Sequence, residues 1–149
     1  NGGGSVINTA SIAGTHPGHG LMTYRAAKAG VVNFTKSAAI ELGEHLIRVN
    51  CICPGNIPTE MASFSHPPPG KTMDDVKNME AEIRAVRMGR QPLKRQGWAV
   101  DIAQTAMFLA SDRSAQITGQ IIAVDGGPSA GEARSQIGDI MAARKKYLG

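Results

Sequence analysis

Three short, nearly continuous apolar runs punctuate the chain: "GSVINTAS" from Gly4, "IRVNCIC" from Ile47 and "GQIIAV" from Gly119. Runs of this length, rich in β-branched residues and bounded by glycine or proline, predict strands covered on both faces. Between the first two, residues 21–42 repeat apolar side chains at helical spacing, at Ala27, Val31, Phe34, Ala38 and Leu42. Gly43 follows as the expected stop. "MDDVKNMEAEIRAVRMG" carries Asp at its start and Arg at its end, in accord with a helix dipole. "AVDIAQTAMFLAS" predicts a further amphipathic helix, and "GEARSQIGDIMAARKKYL" a last one with Ile137, Ile140 and Met141 on one side. Loops fall at "IAGTHPGHG" and at "IPTEMASFSHPPPGKTM", where Pro67, Pro68 and Pro69 forbid regular helix. Strand, helix, strand, helix, helix, strand is the order of a parallel α/β sheet. Three strands are few for such a sheet.

Composition narrows the class. A chain of 149 residues, 42% hydrophobic and 19% charged, is one globular domain's worth, and no run reaches membrane-spanning length. The net charge of +4 is mild and mixed with acids, which favours a solvated surface over nucleic acid. Cys51 and Cys53 stand two apart on a predicted strand, so they share a face. They read as small buried residues in a reducing compartment, which points to the cytoplasm. A metal pair there would lack further ligands. The chain opens on "NGGGS", with no initiator Met and no signal-like segment, and the expectation is a piece of something longer.

Candidate chemistry gathers at the carboxyl ends of the predicted strands, where ligands of parallel α/β sheets bind. Ser11 ends the first strand. Tyr24 and Lys28, in "YRAAK", sit one turn apart on a helix face. "PGNIPT", from Pro54 to Thr59, follows the second strand. Taken with "INTASIAG" and "ITGQIIAVDGG", in this order and spacing, these segments resemble the C-terminal part of a short-chain dehydrogenase/reductase over about Gly4 to Gly127.

The resemblance implies a Rossmann-like, doubly wound parallel sheet whose first βαβ units are missing here. Residues 1–127 would form its catalytic part and 128–149 a helical tail. It implies NAD or NADP as cofactor, a small alcohol or carbonyl substrate, and a homo-oligomer. Tyr24 would be the general acid/base. A free phenol titrates near ~10, and a cation one turn away favours its ionised form. Lys28 would be that cation and would also bind the nicotinamide ribose. Ser11 would orient the reacting oxygen. Pro54 and Gly55 would let the backbone approach the nicotinamide, with Ile57 and Thr59 contacting its carboxamide.

Plainer readings stand beside these. Ser11 can serve as a strand-end hydroxyl for local backbone, Thr59 as an N-cap for "EMASF", and Gly126-Gly127 as a tight turn. His16 and His19 lie in a glycine-rich loop without acidic partners, so they flank the substrate mouth or face water, and no metal is expected. His66 falls in the segment that covers substrate in the family. Met73, Met79 and Met88 offer either an adaptable wall or ordinary packing. "NGGGS" follows no strand and is no phosphate loop. The glycine-rich dinucleotide turn is not among these residues. Two functions stay open: the catalytic and nicotinamide half of an oxidoreductase, or a non-catalytic remnant acting as an oligomerisation or interaction module. The tail either packs on a neighbouring subunit, closes the pocket or is a solvated helix.

Overall fold

A computed structural model describes residues 2–59, 67–131 and 137–148. Three strands, β1 (Gly4–Thr9), β2 (Ile47–Pro54) and β3 (Ile121–Val124), form one parallel sheet in the order β1-β2-β3. β1 runs in register with β2 from Gly4 against Ile47 to Thr9 against Ile52, and β3 from Ile121 against Cys51 to Val124 against Pro54. The crossovers are helical, as parallel pairing requires. Helix α1 (Met22–Leu42) joins β1 to β2, and α2 (Met73–Arg90) and α3 (Ala99–Ala110) lie between β2 and β3. Helix α4 (Ile137–Leu148) comes last. The α/β class and the parallel sheet thus match the sequence pattern. Among the described residues no helix is long and apolar enough to cross a membrane.

β2 is the spine of the core. Val49, Cys51, Ile52 and Cys53 are each at most 1% exposed. Cys51 and Cys53, on one face, pack with Ala10, Ile12, Val31, Val32 and Ile121. Asn50 is buried too, and is tolerated because its amide is used at both ends: Nδ2 donates to the Ile117 carbonyl and Oδ1 accepts from the Gln120 N–H. Arg48 ties the sheet to α3. Its guanidinium donates to the carbonyls of Leu109 and Ser111 and to Ser114 Oγ, at the helix end where a cation suits the dipole.

One expectation for α1 is corrected. The buried side of α1 is centred on Thr35 and Ala39, with Val31 and Val32 partly buried, whereas Phe34 is 62% exposed and Ala27 is exposed as well. Thr35 enters the interior because its hydroxyl is satisfied twice, accepting from Asn8 Nδ2 at 2.9 Å and donating to the Val31 carbonyl at 2.8 Å. A polar residue with both hydrogen-bonding roles filled therefore held a place that periodicity gave to Phe34. Gly43 caps α1 directly after Leu42, as expected. Its φ is −60°, it continues into a 3-10 turn over Gly43–His45, and the left-handed residue is Leu46 at φ 58°. Leu46 is fixed there by its own N–H to the Gly43 carbonyl and by its carbonyl, which accepts from Gly4 N. The helix predicted for "EMASF" and the position of His66 lie outside the described residues.

Candidate active site

Register sets the level of the rim. Thr9 pairs with Ile52, and Ala10 N–H donates to the Ile52 carbonyl at 2.9 Å; β1 ends at Thr9 rather than at the expected Ser11, which follows two residues on. Ser11 Oγ accepts the Ala13 N–H at 3.1 Å and so caps a 3-10 turn over Ile12–Gly14. The plain reading of Ser11 is therefore realised. It uses a lone pair, and among the described residues the hydroxyl proton has no partner. That turn rests directly on α1: a Cβ on Gly14 would stand 2.6 Å from the Lys28 carbonyl carbon. Only glycine permits the approach, and it brings Ser11's turn onto the backbone of Lys28.

Lys28 and Tyr24 face the strand ends from α1. The Lys28 ammonium donates to the Thr9 carbonyl at 3.2 Å and lies 5.8 Å from the centre of the Tyr24 ring. A cation against an aromatic face is favourable, and the strand-end carbonyl fixes its direction. Two of its three donors remain for other partners. Tyr24 itself is 43% exposed, so its ring is open to a ligand. Beneath this group Cys53 is fully buried, and burial, with Cys51 adding to it, pushes its thiol up to about 11. Cys53 stays a neutral thiol at ordinary pH and is no nucleophile.

The segment after β2 is held from the far side. Gly55 N–H donates to the Val124 carbonyl, and a Cβ on Gly55 would fall 2.5 Å from Asp125 Cβ. The close approach that this glycine permits in the structure is to Asp125, which the sequence reading had not foreseen. Asp125 is in turn pinned. Burial by itself would raise its pKa, but hydrogen bonds from Ser129 and Gly127 outweigh that and hold it below the usual carboxylate range. Gly126 and Gly127, at φ 75° and 104°, form the expected tight turn. Asn56 offers its carbonyl to Gln96 Nε2 at 3.1 Å. Ile57 is half-buried and Thr59 exposed. A cleft of about 400 Å³ opens beside this turn, walled by Asn56, Ile57, Gln91, Asp101 and Asp125, and it includes none of Ser11, Tyr24 and Lys28.

Ser11, Tyr24, Lys28 and the Pro54–Thr59 segment thus share one edge of the sheet. Two supports went unread in the sequence. Gln96 holds the turn after β2, and Arg25 donates from Nη1 to the His16 carbonyl at 2.8 Å and from Nε to the Gly20 carbonyl at 3.1 Å. An arginine beside Tyr24 carries no sequence signal for that task, because a solvated helix position looks the same.

Comparison with known proteins places this chain in a family. A family profile described as "Enoyl-(Acyl carrier protein) reductase" matches residues 1–129. The chain is 43% identical over 125 residues to 3-oxoacyl-(acyl-carrier-protein) reductase FabG of Chlamydia trachomatis serovar D, covering 83% of this chain and 44% of that protein. It is 38% identical over 126 residues to 7alpha-hydroxysteroid dehydrogenase of Bacteroides fragilis, covering 85% of this chain and 44% of that one. The solved structure of 4-hydroxyisoleucine dehydrogenase complexed with NADH superposes with a TM-score of 0.69 at 30% identity, over 86% of this chain and 47% of that chain. The chain belongs to the short-chain dehydrogenase/reductase family. It spans somewhat less than half the length of the curated relatives it matches.

Proposed function

We propose that these residues form the catalytic and nicotinamide-facing half of an NAD(P)-dependent oxidoreductase that interconverts an alcohol and a ketone or aldehyde. The observation that carries this reading is the placing of Lys28, held by the Thr9 carbonyl with its ammonium against the Tyr24 ring, on the edge where Ser11 follows β1. The donor set suits a nicotinamide nucleoside: two ammonium N–H groups of Lys28 for ribose hydroxyls, and the backbone of Ile57 with the Thr59 hydroxyl for a carboxamide. When bound, the nicotinamide supplies or accepts the hydride. Ser11 donates its unengaged O–H to the reacting oxygen and fixes it within reach of Tyr24. In reduction Tyr24 gives that oxygen its phenolic proton, so hydride on carbon and proton on oxygen complete the alcohol; in oxidation it takes the proton back.

The same site in the remnant reading would be vestigial, and exposed apolar side chains on α1 support assembly with other chains in either case. Phe34 and Ile40 are 62% and 82% exposed on that helix. A homo-oligomer follows naturally from burying them.

Two measurements test the reading. The 149-residue chain lacks a glycine-rich phosphate turn, so NADH fluorescence titration should show weak binding or none. Saturation at nanomolar NADH would overturn the division of labour between halves. In a protein joining these residues to a dinucleotide-binding βαβ unit, Tyr24→Phe should lower kcat by about 10²–10⁴-fold, the usual worth of a positioned acid, with NADH affinity kept. Unchanged turnover would remove Tyr24 from the acid's role.

A further inference from the structure

The geometry points to Arg25 as a positioning residue that sets the shape of the substrate entrance, an inference that rests on the oxidoreductase reading above. The loop between Ser11's turn and α1, from His16 to Gly20, is exposed along its whole length. It enters the helix through a strained joint. Gly20 has φ 74°, and Leu21, a leucine in the left-handed region at φ 54°, stands at the N-cap with no side-chain hydrogen bond to the helix. A non-glycine residue held in that region signals that its surroundings enforce it.

What enforces it is the guanidinium of Arg25. Nη1 donates to the His16 carbonyl at 2.8 Å and Nε to the Gly20 carbonyl at 3.1 Å, closing the loop at both ends. The middle of the loop lies on the same group, since a Cβ on Gly18 would stand 2.5 Å from Nη2. Arg25's own N–H donates to the Leu21 carbonyl at 2.8 Å. The loop is therefore wrapped around one planar cation at three points: His16, Gly18 and Gly20. Only a guanidinium offers donors on separate edges of one rigid plane; an ammonium is a single point.

The consequence for the site is local. The fixed joint holds Leu21 and Met22 as an apolar pair, 67% and 82% exposed, with only Thr23 between them and Tyr24 in the chain. Arg25 makes no part of the proton path. It fixes where those side chains stand, and so which carbonyl compounds reach Tyr24 well oriented. Misplacement of an entrance element shows in KM when it alters binding shared by substrate and transition state.

The test uses the protein that contains these residues joined to its dinucleotide-binding half. Arg25→Ala, Arg25→Lys and Gly18→Ala are compared with the unaltered protein by amide hydrogen exchange and by steady-state kinetics. Exchange at the amides of Thr15, His16 and Arg25 should rise about tenfold or more in all three variants, while the β2 amides stay protected and report an intact fold. KM for the carbonyl substrate should rise about tenfold, with kcat within about threefold. Unchanged exchange in Arg25→Ala overturns the clamp, and so does full rescue by Arg25→Lys. A loosened loop with unchanged KM, or a loss of kcat at constant KM, overturns its role at the entrance. Failure of the oxidoreductase reading looks different: Tyr24→Phe would keep its turnover, whatever the exchange at the loop.

Discussion

Helices α1 and α2 are similar in length, 21 and 18 residues, and are held in opposite ways. α1 starts without a side-chain cap and without an acidic residue in its first turn, and its order comes from the sheet, against which Thr35 and Ala39 are buried. α2 starts on a reciprocal box in which Thr72 Oγ1 accepts the Asp75 N–H while the Asp75 carboxylate accepts the Thr72 N–H. It has Asp74 and Asp75 in the first turn, Arg87 and Arg90 in the last, and buries only Val76. Local rules make α2; packing makes α1. Tyr24 and Lys28 stand on the helix that depends on the rest of the fold, so their geometry is as well fixed as the sheet beneath them.

Cutting into each helix's support separates the two cases. The largest effect belongs to the sheet: Ile52→Ala, at a residue 1% exposed, should cost about 2–5 kcal/mol in urea unfolding. In α2, Ile83→Ala at a site 38% exposed should stay below about 1 kcal/mol. Equal losses would mean that α2 is packed as tightly as the core. Next comes Thr72→Ala, which removes the cap and should weaken α2 by about 1 kcal/mol. Hydrogen exchange should rise in the first turn of α2 alone, with α1 untouched, and a global loss would contradict local control.

The smallest effects come from acid. Asp75 is held below its ordinary range by the Thr72 N–H and then by the Thr72 hydroxyl. Asp101 is held at about 2, first by the Arg95 guanidinium and then by the Trp98 N–H. Both folded values lie below the unfolded value near ~3.9, so the support is complete above that value and disappears as pH falls through the folded one. For Asp101 the window runs from about pH 4 down to about 2. The single tryptophan, Trp98, starts α3 beside Asp101, and its emission should shift in that window at the entry to α3. A shift completed above pH 5 would assign it to another group.

Much of the fold was legible. The strand runs, their order and the helical stretches between them are written in apolar periodicity and in glycine and proline, which act locally. "YRAAK" and Ser11 were legible as candidates because helix spacing and strand ends follow from the same local rules. Illegible were the contacts that depend on distant atoms. Thr35 replaced Phe34 inside because Asn8 met it across the fold, and Leu46 took a left-handed turn after α1 because Gly4 and Gly43 bonded to its backbone. Gly55 also makes room for Asp125, a contact that no local pattern announces.

The sequence by itself determined the class of fold, the family and the set of residues placed on one rim, since each is encoded in patterns a few residues long. Tertiary structure alone decided how those residues are aimed. Lys28 points at the Thr9 carbonyl, Gly14 lets Ser11's turn sit on Lys28, and Arg25 closes the loop before Tyr24. Such directions are set by close contacts between segments far apart in the chain, and no local pattern records which atoms will meet.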